Sequence, residues 1–255
     1  MTVGVVTGAG SGMGRACVDR LKGTVDHLVA VDLREPGIDG AIGVACDISD
    51  PDAVGALVER VGELGPFRSL AHAAGLSPTM ADPRRIVDVN LLGTLRLLEA
   101  FEALVTTGSA AVCFSSSAGY IPLEWLGPEL TELVRDPHAE GFLDRATGLL
   151  PDPGLAYAWS KKGVQLEAAK AAVRWGPHGG RVVSLSPGLI DTPMGRQEFE
   201  NQPVMKQMLD DTPLGRVGTA DEIAAVVAFL LSDDASFVSG IDVLVDGALG
   251  AAQAP

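Results

Sequence analysis

The sequence predicts a doubly wound α/β fold, a parallel sheet of seven strands with helices on both faces. Three observations predict it. Seven short apolar runs alternate along the chain with stretches of helical character, and most of these runs lack the strict alternation of a strand with one wet face. The first run leads into a glycine-rich turn, V-G-V-V-T-G-A-G-S-G-M-G-R-A, where a helix should begin. The second, H-L-V-A-V-D, stops on an acid, Asp32. At 255 residues the chain lies at the upper end for a single core, and one domain is expected over 1–255.

Taken in order, strands are predicted over 3–7, 27–32, 42–47, 69–73, 110–115, 181–186 and 241–245. The main helices are predicted over 51–61, 83–104, 157–175 and 220–231. In the first turn, Gly8, Gly10, Gly12 and Gly14 let backbone N–H groups approach a pyrophosphate, and the following helix aims its partly positive end at that anion. The spacing is not G-x-G-x-x-G, so the turn alone is also consistent with a tight connection. Its place after a buried strand favours the anion site. Asp32 then stands where an acid accepts hydrogen bonds from the hydroxyls of an adenosine ribose.

Further along, L-A-Y-A-W-S-K-K sets Tyr157 and Lys161 four residues apart, on one face of a helix. A phenol with a reference pKa of about 10 needs a downward shift of roughly 2 to 3 units to exchange protons near neutral pH. A neighbouring ammonium has the right sign for that. A half-buried ring beside a solvated amine has the same pattern, so the pair draws its weight from the glycine turn and Asp32.

Together these residues resemble the short-chain dehydrogenase/reductase family, whose marks are T-G-x-x-x-G-x-G, here Thr7 to Gly14, and Y-x-x-x-K, here Tyr157 to Lys161. The likeness continues through Asp47, Ala74-Gly75, Asn90 in V-N-L-L-G-T, Ser116 in S-S-S-A-G, Pro187-Gly188, and Thr192-Pro193-Met194. It closes with P-L-G-R-V-G-T-A-D-E-I and V-D-G. The resemblance implies a Rossmann-type domain that binds NAD through Gly8, Ser11, Gly12, Met13, Gly14, Asp32, Leu33, Asp47, Ile48, Ala74, Gly75, Tyr157, Lys161, Pro187, Gly188, Ile190 and Thr192. It also implies roles. Tyr157 is the proton donor and acceptor, Lys161 lowers its pKa and holds the nicotinamide ribose, Ser116 orients the substrate oxygen, and Asn90 holds a water chain leading to Lys161. The family's N-N-A-G is H-A-A-G here, with His72 first, so two asparagine side chains are missing, one of which usually ties the central sheet together; V-D-G-A likewise replaces V-D-G-G.

The segment 120–154 is longer than most family members have there, and the bacterial 3α-hydroxysteroid dehydrogenase/carbonyl reductases carry a comparable insertion. W-L-G-P-E-L-T-E-L-V-R has the pattern of a short amphipathic helix. The apolar residues Ile121, Leu123, Trp125, Leu126, Leu130, Leu133, Val134, Phe142 and Leu143 exceed what a solvated loop needs. They should pack on the body, line the substrate entrance or meet a partner subunit. The segment 193–212, rich in Met, Gln and acids from Gly195 to Asp211, matches the family's mobile substrate loop.

Composition narrows the function. A net charge of −14 disfavours nucleic acid and anionic membrane surfaces. Cys17, Cys46 and Cys113 form neither a disulfide framework nor C-x-x-C, and His27, His72, His138 and His178 lack ligand spacing, so no metal is expected. His72 is expected to be a hydrogen-bonded residue at a strand end. With a strand from Val3 and no run long enough for a bilayer, no secretory leader is expected and the cytoplasm is the expected compartment.

The leading expectation is an NAD(H)-dependent oxidoreductase that interconverts a secondary alcohol and a ketone, on a bulky hydrophobic alicyclic or steroid-like substrate. A homo-oligomer is expected, with a dimer favoured over a tetramer. A 3-oxoacyl carrier-protein reductase would favour a basic residue near the phosphate turn, against which Ser11, Asp32 and the acidic balance count. A non-catalytic NAD-sensing regulator would not need the set Ser116, Tyr157 and Lys161.

Overall fold

The computed structural model describes residues 1–201 and 203–253. The first half runs β1 (Val3–Thr7), α1 (Gly12–Leu21), β2 (His27–Asp32), β3 (Ile42–Ala45), α2 (Pro51–Leu64), β4 (Phe67–His72), α3 (Pro83–Val87), α4 (Gly93–Glu102) and β5 (Ala110–Phe114). Then come α5 (Gly127–Arg135), α6 (Phe142–Leu149), α7 (Pro153–Trp175), β6 (Arg181–Pro187), β7 (Ile190–Asp191), α8 (Pro193–Asn201), α9 (Val204–Asp210), β8 (Gly218–Thr219), α10 (Ala220–Leu231), β9 (Asp242–Val245) and α11 (Leu249–Gln253). Seven strands form one parallel sheet in the order β3-β2-β1-β4-β5-β6-β9, while β7 and β8 pair separately. This is the predicted Rossmann-type α/β fold. The order reverses beside β1, which pairs with β2 on one side and β4 on the other, so a crevice opens at the carboxyl ends of β1 and β4.

The strands lack polar alternation because both of their faces are covered. On one face Val3, Val5, Val29, Val31 and Leu70 pack with Val54 and Leu57 of α2, Leu97 and Phe101 of α4, and Val164 and Trp175 of α7. On the other, Val6, Ala30, Val112 and Leu185 pack with Cys17 and Val18 of α1 and with Ile223 and Val227 of α10. At roughly 1.5–3 kcal/mol for each fully buried large aliphatic side chain, these two layers are the main favourable contribution to the fold.

Three Asp-Pro pairs start helices. Asp50, Asp82 and Asp152 each accept a backbone N–H of the first turn, at 3.0, 2.9 and 2.8 Å, and the following proline occupies a position whose own N–H would be unpaired. The cap at Asp152 explains why α7 begins at Pro153, four residues ahead of the predicted start at 157. The third strand stops at Ala45, short of 47, because Asp47 turns to accept from Ser49 N at 2.9 Å and Ser49 Oγ at 2.6 Å. The other sheet strands agree with prediction to within two residues at each end.

The helix predicted over 83–104 is interrupted. Between α3 and α4, Asp88–Leu92 form a π-helical turn, a wider turn that often marks functional sites. The long segment after β5 folds into two short 3₁₀ turns followed by α5 and α6. Its Leu130, Leu133, Val134, Phe142 and Leu150 build a third cluster with Ile86, Val87, Leu91 and Trp159. Trp159 stacks on Phe142 with ring centroids 5.7 Å apart, and its indole N–H donates to the Leu130 carbonyl at 3.1 Å. The insertion therefore packs on the body.

Candidate active site

The crevice at the switch point is a groove of about 250 Å³. Its floor needs glycine. Gly8 has a φ of 68°, and a Cβ there would lie 2.7 Å from Ala74 N; at Gly14 it would lie 2.1 Å from the Gly8 carbonyl oxygen. Side chains are thus excluded where α1 meets the turn, leaving backbone facing the groove. Ser11 precedes α1 without capping it through its side chain. Asp32 Oδ2 accepts from Gly10 N and Oδ1 from Leu33 N, both at 2.8 Å, which fixes the carboxylate at the groove wall.

Gly8, Ser11, Gly12, Met13, Gly14, Asp32, Leu33, Asp47, Ile48, Ala74, Gly75, Tyr157, Lys161 and Thr192 all line this groove. Asn90 and Ser116 stand behind it, in contact with lining groups. Pro187 ends β6, Gly188 approaches the segment after β9 so closely that a Cβ would meet Asp246 Cα at 2.7 Å, and Ile190 packs into the core. These last three sit beside the groove. No residue of 120–154 is among the described residues that line this groove. The insertion's cluster supports the groove from behind, since Leu76 and Tyr157 pack against it.

Asn90, buried in the π turn, bonds twice to Leu76, accepting from its N–H at 2.8 Å and donating to its carbonyl at 3.0 Å. A Cβ on Gly75 would come within 3.1 Å of Asn90 Oδ1 and 3.4 Å of Lys161 Nζ, so these three groups converge. Lys161 Nζ donates to the Phe114 carbonyl at 2.8 Å, and Ser115 Oγ donates to the Lys161 carbonyl at 2.8 Å. Ser115 is thereby committed to the backbone, whereas Ser116 Oγ accepts from Ala118 N at 3.2 Å and its hydroxyl favours the ionised form of Tyr157.

Burial dominates the electrostatics. It pushes the Tyr157 phenol up to about 12, opposed by the Ser116 hydroxyl and reinforced by the charge of Glu198. It pulls the Lys161 ammonium down to about 8. The expected lowering of the Tyr157 pKa by Lys161 is not what sets it here. The ammonium points to the Phe114 carbonyl and lies 5.7 Å from the phenol ring centre.

His72 replaces the sheet-tying side chain. Thr94 Oγ1 donates to the Asn90 carbonyl at 2.6 Å, so it accepts from His72 Nε2 at 2.9 Å, and His72 Nδ1 accepts from Thr7 Oγ1 at 2.7 Å. This chain joins β1, β4 and α4 through one neutral imidazole. Burial, with Lys161 second, holds the His72 pKa down to about 3.

Arg85 was missed by sequence reasoning. It lines the groove and bridges Asp47 Oδ2 at 2.8 Å and Ser49 Oγ at 2.6 Å; its only local signal was its place in a helix capped by Asp82.

A side-chain-free cradle for phosphates, an acid at the end of β2, and a serine, tyrosine and lysine converging on one groove define a dinucleotide-binding oxidoreductase. The comparisons give the family. A sequence model described as short chain dehydrogenase matches residues 2–127, and one described as enoyl-(acyl carrier protein) reductase matches residues 143–249. A short-chain dehydrogenase/reductase, bsc3 of Alternaria brassicicola, is 35% identical over 207 residues, covering 79% of this chain and 75% of its own. Levodione reductase of Leifsonia aquatica is 30% identical over 277 residues, covering 97% and 94%. The crystal structure of the 3-alpha-hydroxysteroid dehydrogenase from Pseudomonas sp. B-0831 with NADH superposes with a TM-score of 0.82 at 29% identity, covering 100% of both chains. The chain belongs to the short-chain dehydrogenase/reductase family, oxidoreductases that act on alcohols and ketones with NAD or NADP.

Proposed function

We propose that the chain is an NAD(H)-dependent oxidoreductase that interconverts a secondary alcohol and a ketone on a bulky, largely hydrophobic alicyclic or steroid-like substrate. One observation carries the reading: Tyr157 and Lys161 both line the groove whose floor excludes side chains, with Ser116 next in the chain to the lining residue Ser115. The residues fit a dinucleotide. Gly8, Ser11, Gly12, Met13 and Gly14 would hold its pyrophosphate, Asp32 and Leu33 its adenosine ribose, and Asp47 and Ile48 its adenine. Ala74, Gly75 and Thr192 in the groove, with Pro187, Gly188 and Ile190 beside it, would border its nicotinamide half. When bound, the nicotinamide exchanges a hydride with the substrate carbon.

The chain's own groups do the rest. Tyr157 passes the proton to or from the substrate oxygen, and Ser116 orients that oxygen and stabilises charge on it. Lys161 would hold the nicotinamide ribose, and Asn90, which fixes the segment at Leu76 and lies near Lys161, would hold a water chain leading to it. Leu76, Met80, Val89 and Met194 supply an apolar wall suited to a ring system.

Asp32 supports NAD over NADP, because its carboxylate, held by two backbone N–H groups, repels a 2′-phosphate. The reading includes a cytoplasmic homo-oligomer, a dimer favoured over a tetramer. A panel of hydroxysteroids, monocyclic alcohols and ketones, and acetoacetyl thioesters, assayed with both cofactors, tests it. Turnover of ring ketones with a higher kcat/KM for NADH than NADPH is expected. Activity confined to thioesters, or a preference for NADPH, overturns it.

A further inference from the structure

A helix presents partial positive charge at its N-terminus, so an arginine in the first turn needs a partner elsewhere. Arg85 is such a residue. It is the third of α3, and its backbone N–H is taken by the Asp82 cap at 2.9 Å. Its side chain crosses to the turn after β3, where Nη2 donates to Asp47 Oδ2 at 2.8 Å and Nη1 to Ser49 Oγ at 2.6 Å. Ser49 extends the bridge, because its hydroxyl and its backbone N–H both donate to Asp47 Oδ1, at 2.6 and 2.9 Å. Arginine, serine and aspartate thus close a ring that holds both carboxylate oxygens. Asp88, the first residue of the π turn, lies 3.6 Å from Arg85 Nη1 and is itself bonded by Arg96 at 2.9 Å, so the guanidinium is anchored from a second side.

The ring leaves one acceptor open. An ionised carboxylate has about four acceptor sites. Among the described residues Oδ1 takes two donors and Oδ2 takes one, so Oδ2 retains a site. Asp47 and Arg85 both line the groove, together with Ile48 and Val89. Burial pushes the Asp47 carboxyl up, but the bonds from Ser49 and Arg85 outweigh it and hold the group below the ordinary value. The open site can therefore accept a hydrogen bond and cannot give one.

We propose that Arg85 is a positioning residue that fixes Asp47 so that its open acceptor meets the exocyclic amine of the cofactor's adenine, which makes the groove selective for a 6-amino over a 6-oxo purine dinucleotide. A 6-oxo base turns an oxygen toward the carboxylate and offers it no hydrogen. A lysine at 85 would keep the charge but lack the planar fork that reaches Asp47 and Ser49 together. This rests on the dinucleotide reading above and adds a residue and a base selectivity to it.

The test titrates NADH and its reduced hypoxanthine analogue, which differ only in the base, into the wild type, Arg85→Met and Arg85→Lys, and follows binding by fluorescence. Circular dichroism and urea unfolding control for folding. The wild type should bind NADH about tenfold more tightly than the analogue or better, and in Arg85→Met that ratio should fall about tenfold through weaker NADH and a nearly unchanged analogue. Arg85→Lys should lie between the two. With a ketone that the wild type reduces, KM for NADH should rise in Arg85→Met while kcat at saturating NADH is retained. A wild-type ratio near one, a ratio unchanged in Arg85→Met, or an equal loss for both dinucleotides overturns the proposal alone. Should Arg85→Met not fold, Arg85→Lys carries the test, and the full wild-type ratio in it overturns the proposal. A wild type that binds neither dinucleotide overturns the dinucleotide reading and the proposal with it.

Discussion

Desolvation raises the Tyr157 pKa and the Lys161 ammonium is bonded to the Phe114 carbonyl, which together favour the protonated phenol. Ketone reduction needs that protonated form and alcohol oxidation needs the phenolate. Initial rates of oxidation should therefore climb from about pH 7 to about pH 10, and a flat profile would count against the assignment. Tyr157→Phe keeps the ring packing and removes the proton, so NADH should still bind while kcat falls by about 10² or more. Near-normal turnover in that variant would rule Tyr157 out. His72 makes a prediction of stability. Its folded pKa of about 3 lies below the ordinary 6.5, so between these values the unfolded chain holds a proton that the folded one refuses. Stability from this group is complete above about pH 6.5 and is lost as pH falls, by about 1.4 kcal/mol per unit. Denaturation across that range should show a shallower fall for His72→Asn than for wild type. Tyr157, Lys161, Asp32 and the glycines were legible because each belongs to a local pattern. The Thr7–His72–Thr94 chain and the Arg85 bridge to Asp47 were not, because their partners are brought together only by strand register and by a helix packing beside the groove.

At the scale of elements, legibility followed the capping chemistry and the apolar period. The central strands could be bounded from sequence, since their ends coincide with glycine, proline or an acid. The break inside 83–104 could not, because the run V-N-L-L-G-T is helical by pattern and the wider turn at Asp88–Leu92 arises from Asn90 reaching across to Leu76. The insertion was legible as apolar but not as to what it covers, which depends on a face of α7 that bears Ala156 and Trp159. Leu133 is fully buried in that cluster. Leu133→Ala should cost about 2–5 kcal/mol in urea unfolding. The affinity for NADH should be unchanged, because the insertion stands behind the groove. A mutation as costly to cofactor binding as to stability would show that the insertion shapes the groove directly.

For the whole molecule, the excess of acids keeps single chains apart, so association must come from apolar surface. The end of α10 exposes Phe229, and the stretch joining it to the edge strand β9 exposes Phe237 and Ile241, with Phe237 wholly in solvent. Exposed aromatic groups beside an unpaired sheet edge are costly for a lone chain. Light scattering should give a mass of at least two chains, and Phe237→Asp should shift it toward one; an unchanged mass would place the contact elsewhere. The strand order also bears on how the chain is made. β1 lies inside the sheet, and β3, β2, β1, β4 and β5 are neighbours, so the first 114 residues contain a contiguous five-stranded block. Only β6 and β9 are added later, both at one side. During synthesis the phosphate-facing turn can therefore be flanked by its final strands before the tyrosine helix has left the ribosome, and the cell gains an early binding platform at the expense of a late, unpaired β5 edge.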